Sequence, residues 1–518
     1  MLELYFCAQT KRTFMKKNIL LACAITIAVV ACNKEEVPAL EFTVNEDVAS
    51  YQEIASLNLG GAGAAEITTY DAQTKRLFAV NNSATNKIDV IDFANPASIS
   101  VIHSISMAPY GGYVNSVAAY EGKVAAAIES TDKQAPGKVV VFNAATYAEE
   151  KVITVGALPD MVTYSPDGKY ILSANEGEPN GSYTNDPEGS VSIIDVANNY
   201  AVKTVNFAAF SSQLADLTSK GFRIFGPGKD FVKDIEPEYI TVSDDSKTAW
   251  VTLQENNAIA EINIAAGTIT KISPLGFKDY NVAGNQIDIS DRDNAVGAFA
   301  SWKVFGTYMP DAIAFMRHNG VPYLFTANEG DAREYDAFAE VKRVKDLKLD
   351  PTAFPNAAAL QADAQMGRLN VTTTLGDTDG DGDYDALYSL GARSFSVWNG
   401  QTGQLVYDSK NELDVKIKAA NLYDDTRSDD KSVEPEAVTI GRVGNKVIAY
   451  VGLERVDAVA IYDVTNPTAP VFVKVLPTGD APEGVLFIPA SKSPLQQSLL
   501  VVSSENDGLV KVYKANKL

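Results

Sequence analysis

Apolar and polar residues alternate along most of the chain in short runs that are separated by turn-forming residues. In the run PDMVTYSPDGKYILSANEG, which begins at Pro159, two alternating stretches flank a Ser-Pro-Asp-Gly turn at 165–168. Alternation with a period of two residues is typical of half-buried β-strands, and the Pro-Asp-Gly sequence favours a tight turn between them. The pattern therefore predicts strand–turn–strand units.

This unit recurs seven times, and most copies begin with a proline followed by an acidic residue. The copies start at Glu66, Asn115, Pro159, Pro237, Pro310, Pro435 and Pro482. Most of them continue into a third stretch with the pattern V-x-I-x-D, as in SVSIID (190–195) and AVAIYD (458–463). Repeated groups of three strands with room for a fourth are typical of β-propeller blades.

The last copy has room for only three strands before Leu518, and the stretch at 50–59 ahead of the first copy predicts the missing fourth. Completing the last blade with N-terminal chain closes the ring and removes a sheet edge. We therefore predict an all-β fold, a single closed β-propeller over residues 49–518 with seven four-stranded blades.

Four long insertions interrupt the repeats. They cover residues 205–236, 272–309, 331–391 and 408–434. The first two connect a fourth strand to the next first strand, and the third lies between the second and third strands of the fifth blade. Both kinds of connection emerge on the face where the first strands begin. We therefore expect the insertions on that face, where loops carry the function of a rigid scaffold.

The N-terminal segment has the pattern of a lipoprotein signal. Two lysines precede an apolar run at 19–30, and small residues then lead to Cys32. This order resembles a lipobox, so we predict a signal over residues 1–31 with its start at Met15, lipidation of Cys32 and an anchor linker at 32–48. An ordinary cleaved signal with a chance cysteine is the alternative. The prediction places the protein outside the cell, as an outer-membrane or cell-surface lipoprotein.

The composition gives the chain a strong negative charge. The chain has 66 acidic and 44 basic side chains and a formal net charge of −22. Such a surface repels nucleic acid and anionic lipid and attracts cations. We therefore expect no nucleic-acid partner and contact with a membrane only through the lipid anchor. We expect a monomer whose partner is a surface protein, a glycan or a phosphorylated small molecule.

The sharpest local motif is a stretch rich in Asp and Gly at 377–385. Its first three Asp residues have the spacing of an EF-hand loop, with Gly382 at the turn, while Tyr388 replaces the terminal Glu. Alternating carboxylates let a short loop surround one hard cation; an acidic solvated turn is the alternative. We predict a calcium site here, with another divalent cation as the alternative. The predicted ligands are Asp377, Asp379, Asp381, Asp383 and Asp385.

The repeats also place acidic residues twice at one end of the blades, at the start of the first strand and just past the second. First strands line the channel of a propeller, so these carboxyls are expected to converge at its mouth. Crowded like charges need raised pKa values, basic partners or bound cations; a repeated structural salt bridge is the alternative for any single acid. The predicted second metal site comprises Asp160, Glu176, Glu238, Glu255, Asp311, Glu329, Glu436 and Glu454.

Catalytic chemistry has few candidates in this sequence. The two histidines, His103 and His318, are predicted in a strand and on the opposite face, so the acidic mouth lacks a histidine base. Hydrolysis there would depend on metal ions held by carboxylates. The candidate catalytic residues are Glu329 at the metal, with Arg333 and Arg393 holding an anionic substrate.

Several motifs resemble the choice-of-anchor I domain family, which includes mesenchyme-specific cell-surface glycoproteins. They are SPDGKYILSANEGEP, DIEPEYI, VTLQENNA, SDRD, PDAIAF, TANEGDAREY, GDTDGDGDYDALYSLGARSFSVW and RSDDKSVEPEAV. The resemblance covers about residues 66–514 and implies an extracellular, anchored propeller with calcium; some members carry an alkaline phosphatase label. Two functions therefore stay open. One is a calcium-binding surface module or scaffold that uses its acidic face, and the other is a metal-dependent phosphoesterase.

Overall fold

The computed structural model describes residues 44–518, and strands dominate its regular elements. The predicted signal segment, Cys32 and the first part of the predicted linker lie outside the described residues. Within residues 44–518, no helix is both long and apolar enough to cross a membrane.

The described chain contains seven four-stranded antiparallel sheets. Sheet 1 consists of Thr68–Asp71, Arg76–Asn81, Lys87–Asp92 and Ser100–Ser106. Sheet 2 consists of Val114–Tyr120, Lys123–Ile128, Pro136–Asn143 and Glu149–Ala157. Sheet 3 consists of Pro159–Tyr164, Tyr170–Asn175, Ser190–Asp195 and Ala201–Val205. Sheet 4 consists of Pro237–Val242, Thr248–Leu253, Ala258–Asn263 and Thr268–Pro274.

The remaining three sheets follow the same order of strands. Sheet 5 consists of Ile313–His318, Val321–Asn328, Ser394–Asn399 and Leu405–Asp408. Sheet 6 consists of Pro435–Val443, Lys446–Leu453, Ala458–Asp463 and Val471–Pro477. Sheet 7 consists of Pro482–Ile488, Leu499–Ser504, Leu509–Lys517 and the N-terminal strand Glu46–Asn58. The prediction of an all-β fold with antiparallel four-stranded sheets is confirmed.

The N-terminal strand joins the two ends of the described chain. Glu46–Asn58 pairs antiparallel with Leu509–Lys517, from Glu46 opposite Lys517 to Asn58 opposite Leu509. The hydroxyl of its buried Tyr51 lies 2.8 Å from the hydroxyl of Tyr450 in sheet 6. Sheet 7 therefore depends on residues from both ends of the chain.

Burial is greatest in the second and third strands of the sheets and least in the fourth strands. The first strand of each sheet contacts the first strand of the next, and the first strand of sheet 7 contacts that of sheet 1. The second strand of sheet 2, Lys123–Ile128, is buried apart from its first residue, and its three alanines let the neighbouring sheets approach closely. The fourth strand of sheet 3, Ala201–Val205, is exposed except at Val205. Hydrophobic clusters between adjacent sheets thus form the core.

The insertions contain the remaining elements. Their strands are Phe277–Asp279, Phe305–Thr307, Glu334–Tyr335, Phe338–Ala339, Val341–Arg343, Asn370–Thr372 and Tyr388–Ser389. Their α-helices are Leu214–Thr218, Ala357–Leu360 and Glu412–Ala419. The 3₁₀ turns of the described chain are Ala208–Gln213, Val344–Asp346, Met366–Arg368, Asp425–Arg427 and Glu454–Val456.

Two insertions that the sequence presents separately share one hydrophobic core. Tyr280 and Ile287 from the insertion at 272–309 pack in one cluster with Phe354 and Leu387 from the insertion at 331–391. Phe305–Thr307 also pairs in parallel with Tyr388–Ser389. The insertions are therefore packed structure, and they hold the connections around the acidic residues in place.

Candidate functional site

Acidic side chains from different sheets converge on one cavity. Seven of the eight acids of the predicted second metal site line a single pocket of about 320 Å³, and Glu255 lies outside its lining. An adjoining pocket of about 540 Å³ shares Asp160, Glu176 and Glu483 with the first. We call the two pockets together the acidic cavity. The first pocket is lined by Asp160, Glu176, Glu238, Gln254, Asp311, Glu329, Asp331, Lys431, Glu436, Glu454, Arg455 and Glu483.

A β-bulge accompanies the acid at the start of several first strands. In sheet 3 the register shifts between Pro159 and Met161, so that Asp160 has no partner residue on the second strand. The same shift occurs at Glu238, Glu436 and Glu483, each of which follows a proline that pairs with the second strand. A bulge leaves one residue out of the ladder and redirects its side chain. In these four sheets the proline–acid pair thus places a carboxyl in the cavity.

Burial makes these carboxyls difficult to ionise. Burial, followed by repulsion from neighbouring carboxylates, raises the pKa of Asp160 to about 6. Burial raises the pKa of Glu66 in the adjoining pocket to about 8, and repulsion from Glu505 adds to the effect. The same two causes raise the pKa values of other members well above their usual range. These members are Glu176, Glu238, Asp311, Glu436 and Glu483.

Several carboxyl oxygens of the acidic cavity have no hydrogen-bond partner among residues 44–518. They are the Oε2 atoms of Glu238, Glu436 and Glu483. Glu238 is only 8% exposed and lines the cavity. A buried acceptor without a donor costs about 1–3 kcal/mol. These buried oxygens therefore lack the donor that would offset their loss of hydration.

One wall of the acidic cavity already holds a cation, which is the side chain of Lys431. Its Nζ atom lies 2.8 Å from Glu329 Oε1, 3.3 Å from Glu434 Oε2 and 3.6 Å from Asp331 Oδ1. Burial would raise the pKa of Glu329, but the charge of Lys431 and hydrogen bonds from Lys431 and Gln254 hold it below its usual value. The sequence places Lys431 next to acidic residues, yet gives no sign that it enters the cavity.

Carboxyl oxygens close enough to share a metal ion are less common than the number of acids suggests. Across the described chain, three sets of acidic side chains bring one oxygen from each member within 4.8 Å of the others. One set is Glu329, Glu434 and Glu454, where Lys431 lies. The remaining acids of the predicted second metal site converge on the cavity without forming such a set.

The two candidate anion-binding arginines are buried and already hydrogen-bonded. The guanidinium of Arg333 pairs with Asp234, contacts Glu236 Oε2 at 2.6 Å, and is 3% exposed. Arg393 is 1% exposed and donates to the main-chain carbonyls of Asp288, Ser428 and Asp430 at 2.6–2.9 Å. Neither side chain lines the acidic cavity, so both stabilise the packing of the insertions rather than reach an open site.

The Asp-rich loop brings three of its five predicted ligands together. Oxygens of Asp377, Asp379 and Asp385 lie within 4.8 Å of one another. Asp377 also accepts the N–H groups of Gly380 and Gly382, at 2.8 and 3.1 Å. Both glycines have positive φ angles, +80° and +89°, which residues with a Cβ rarely adopt. The glycines therefore let the loop fold back around its first carboxylate.

The other two predicted ligands lie elsewhere in the loop. Asp383 is 5% exposed and belongs to a further set with Asp350 and Asp385, and its Oδ2 atom lies 2.9 Å from Lys348 Nζ. Asp381 belongs to neither set and accepts the N–H of Asp383 at 3.0 Å. Asp350 lies far upstream of the motif, so its proximity depends on the packing of the insertion.

Comparisons with known proteins identify a family whose model matches most of the repeat region. The sequence model described as "Choice-of-anchor I domain" matches residues 66–467. Gigasin-3a from Magallana gigas is 31% identical over 194 residues, which cover 31% of this chain and 68% of that protein.

Two solved structures are among those similar to this chain. Kuenenia stuttgartiensis hydrazine synthase matches with 13% identity and a TM-score of 0.47, over 88% of this chain and 96% of that one. The Cps50 (Swd1) β-propeller domain of Myceliophteria thermophila matches with 8% identity and a TM-score of 0.45, over 89% of this chain and 100% of that one.

Proposed function

The chain belongs to the choice-of-anchor I domain family, and on that premise we propose that it is an anchored cell-surface β-propeller that acts as a binding or scaffold module through its acidic cavity. The observation that carries the proposal is the convergence of acids from separate sheets, several of them redirected by β-bulges, on one cavity. Binding surfaces of this kind are built where loops and strand ends meet on a rigid scaffold.

We further propose that the seven sheets are the blades of a closed ring. The contacts between first strands, including the contact between sheets 7 and 1, support this arrangement. The pairing of Glu46–Asn58 with Leu509–Lys517 supports it too, because that strand completes sheet 7 from the other end of the chain. Closure leaves the propeller without an unpaired inner edge.

The anchor in this proposal is a lipid on Cys32. Replacing Cys32 by Ser is expected to move the protein from the membrane fraction to the soluble fraction, because the acyl chains that hold it there are attached to that sulfur. Fractionation of cells that express either form measures the change. Both forms should show the same melting temperature after solubilisation, and retention of the Ser form in the membrane would exclude the lipid anchor.

We propose that the loop 377–385 binds calcium. Calcium takes oxygen ligands at about 2.3–2.6 Å, so oxygens that share one ion lie within about 5 Å of one another. The set Asp377, Asp379 and Asp385 meets this limit, and all three are carboxylates, the ligands that calcium prefers. Asp383 stays a candidate through its set with Asp385 and Asp350. Bound calcium would neutralise the loop and fix the insertion at 331–391.

Loss of the two loop carboxylates Asp377 and Asp379 is expected to remove calcium-dependent stabilisation. With calcium at a hundredfold excess over Kd, binding stabilises the native state by about 2.7 kcal/mol. The double variant Asp377→Asn, Asp379→Asn should therefore melt at the same temperature with calcium and with chelator, whereas the parent should melt higher with calcium. Scanning calorimetry of residues 44–518 measures the melting temperatures of the parent and of the variant under each condition.

Asp336→Asn provides the matched control, because Asp336 is an exposed acid of the same insertion outside both loop sets. This variant should keep the full calcium response. A parent protein whose melting ignores calcium would contradict the calcium site. Calcium-dependent hydrolysis of an aryl phosphate that Glu329→Gln abolishes would contradict the binding-module proposal and favour the phosphoesterase instead.

A further inference from the structure

The charge of the acidic cavity selects strongly for cations. Nine carboxyl side chains and two basic ones line its first pocket, and seven carboxyls and one lysine line the adjoining pocket. Three of the acids are common to both pockets. An anion entering this space meets repulsion from most of its lining, while a cation gains from several carboxylates at once.

The spacing of the acids determines which kind of cation fits. A bare divalent ion needs several oxygens at about 2.3–2.6 Å, and hence close together. In the acidic cavity, as far as the described residues go, only Glu329, Glu434 and Glu454 approach one another in that way. Two of them, Glu329 and Glu434, contact Lys431, so the side chain of a lysine already lies where the oxygens are closest. The other carboxyls are distributed around a wider space, which suits an extended ligand with separated charges.

Carboxyl oxygens without a hydrogen-bond partner favour a ligand that donates hydrogen bonds. Within the described part of the chain, Glu238 Oε2 and Glu483 Oε2 accept no hydrogen bond, although both residues line the cavity and Glu238 is only 8% exposed. An ammonium group carries three donors and no acceptor. Lys431 demonstrates the fit in the same pocket, since its ammonium group contacts three acidic residues at 2.8–3.6 Å.

The adjoining pocket adds an aromatic wall. Tyr113 lines it and is 49% exposed, beside Glu129 and Lys133. An aromatic face next to carboxylates can contact both the alkyl chain and the charge of an ammonium ligand. Ligands that carry several ammonium groups on a flexible chain match a set of carboxyls with one aromatic side chain beside them.

From these observations we propose that the acidic cavity binds alkylammonium groups, supplied either by a free polyamine or by lysine side chains of a partner protein. The proposal rests on the function proposed above and names the chemistry of its ligand. Ammonium groups in the cavity donate to the unpartnered oxygens of Glu238 and Glu483 while Lys431 stays in place. The two sources share this chemistry and differ in whether the ammonium groups belong to a small molecule or to a protein surface.

Titration calorimetry with residues 44–518 in the presence of chelator tests the proposal. Three probes are used: spermidine, a peptide with alternating lysine and glycine, and the same peptide with every lysine acetylated. Acetylation removes the charge and two donors from each lysine but keeps the chain length. Spermidine, the lysine peptide or both should bind, and the acetylated peptide should not. Binding of spermidine alone identifies a free polyamine, and tighter binding of the lysine peptide identifies a protein partner.

The double variant Glu238→Gln, Glu483→Gln tests where the ligand lies. The variant removes two charge-assisted hydrogen bonds, each worth about tenfold in affinity, so binding should weaken about a hundredfold or more. The control Glu121→Gln, Asp92→Asn removes two exposed acids, one in the turn between the first two strands of sheet 2 and one in sheet 1, and should bind like the parent. Glutamine keeps the shape of glutamate and relieves repulsion, so the cavity variant should fold, as its melting curve will show.

Three results would overturn the proposal. They are no binding of spermidine or lysine peptide to the parent, equal binding of the acetylated peptide, and unchanged binding to the cavity variant. Calcium that binds the parent outside the loop 377–385 and is lost in the cavity variant, with no ammonium binding, would assign the cavity to a metal. Calcium binding in the loop 377–385 is measured on separate variants. A failure of ammonium binding in the cavity is therefore distinguishable from a failure of the proposed calcium-binding module.

Discussion

A chain that begins at residue 59 is expected to lose cooperative folding, whereas a chain that begins at residue 44 should keep it. The shorter chain lacks Glu46–Asn58, so Leu509–Lys517 becomes an unpaired edge strand. Deletion also removes Val48 and Tyr51 from the cluster around Tyr450. Loss of one large buried aromatic side chain alone costs about 3–5 kcal/mol. Domains are stable by only about 5–15 kcal/mol, so the deletion removes most of that margin.

Thermal unfolding and size-exclusion chromatography of the two chains measure the difference. We expect the shorter chain to melt broadly and to aggregate, because exposed edge strands pair with other chains. A synthetic peptide of residues 44–58, added in excess, should restore a sharp transition by pairing with the free edge. Equal melting of the two chains would contradict both the role of this strand and the proposed closure of the ring.

Replacing Arg333 by Met is expected to lower the free energy of unfolding by about 3–5 kcal/mol, the usual cost of breaking a buried ion pair from one side. The change leaves Asp234 and Glu236 buried without their guanidinium partner. Burial already raises the pKa of Glu236 to about 8 although Arg333 opposes the shift. Without the arginine, Glu236 must take up a proton or remain charged in a dry environment.

Urea unfolding measures the loss, and two further variants locate its cause. Arg442→Met removes an exposed arginine of sheet 6 and should change the free energy of unfolding by less than about 0.5 kcal/mol. Adding Glu236→Gln to Arg333→Met should recover part of the stability, because one unpaired charge disappears. If Arg333→Met is as stable as the parent, the guanidinium is not structural and its earlier interpretation as an anion-binding group regains support.

The sheets were predictable from sequence because their determinants are local. Alternation of apolar residues, turn residues such as those at 165–168, and the repeated proline–acid pair specify strands without reference to distant contacts. The fourth strand of sheet 7 was also predictable, since counting strands in the last repeat leaves one position empty. The shared core of the insertions was not, because Tyr280 and Phe354 come together only through tertiary packing.

The sequence predicts which acids meet in the site, but it does not predict which side chains they pair with. The repeats indicate that acids such as Asp160 and Glu238 meet, because equivalent positions of repeated sheets face the same end. The partners of these acids depend on side chains from the insertions, whose paths no repeat constrains. Lys431 enters the cavity from one insertion, and Arg333 turns away from the cavity to pair with Asp234 in another. A bulge could have been inferred from the proline before each acid, since proline cannot donate to a strand ladder.

The crowded carboxyls of the acidic cavity make folding and proton binding interdependent. The pKa values of Glu66 and Glu454, ordinarily 4.5, are raised by burial to about 8 and about 7. Between pH 4.5 and these raised pKa values, the two carboxyls keep protons in the folded protein that they have released in the unfolded chain. The stability contributed by this protonation is complete below pH 4.5 and is lost as the pH rises through 7 and 8. A cation that enters the cavity favours the ionised carboxyls, so its binding must expel protons into the surrounding solution. A cation bound in the cavity near neutral pH would therefore release protons at its mouth.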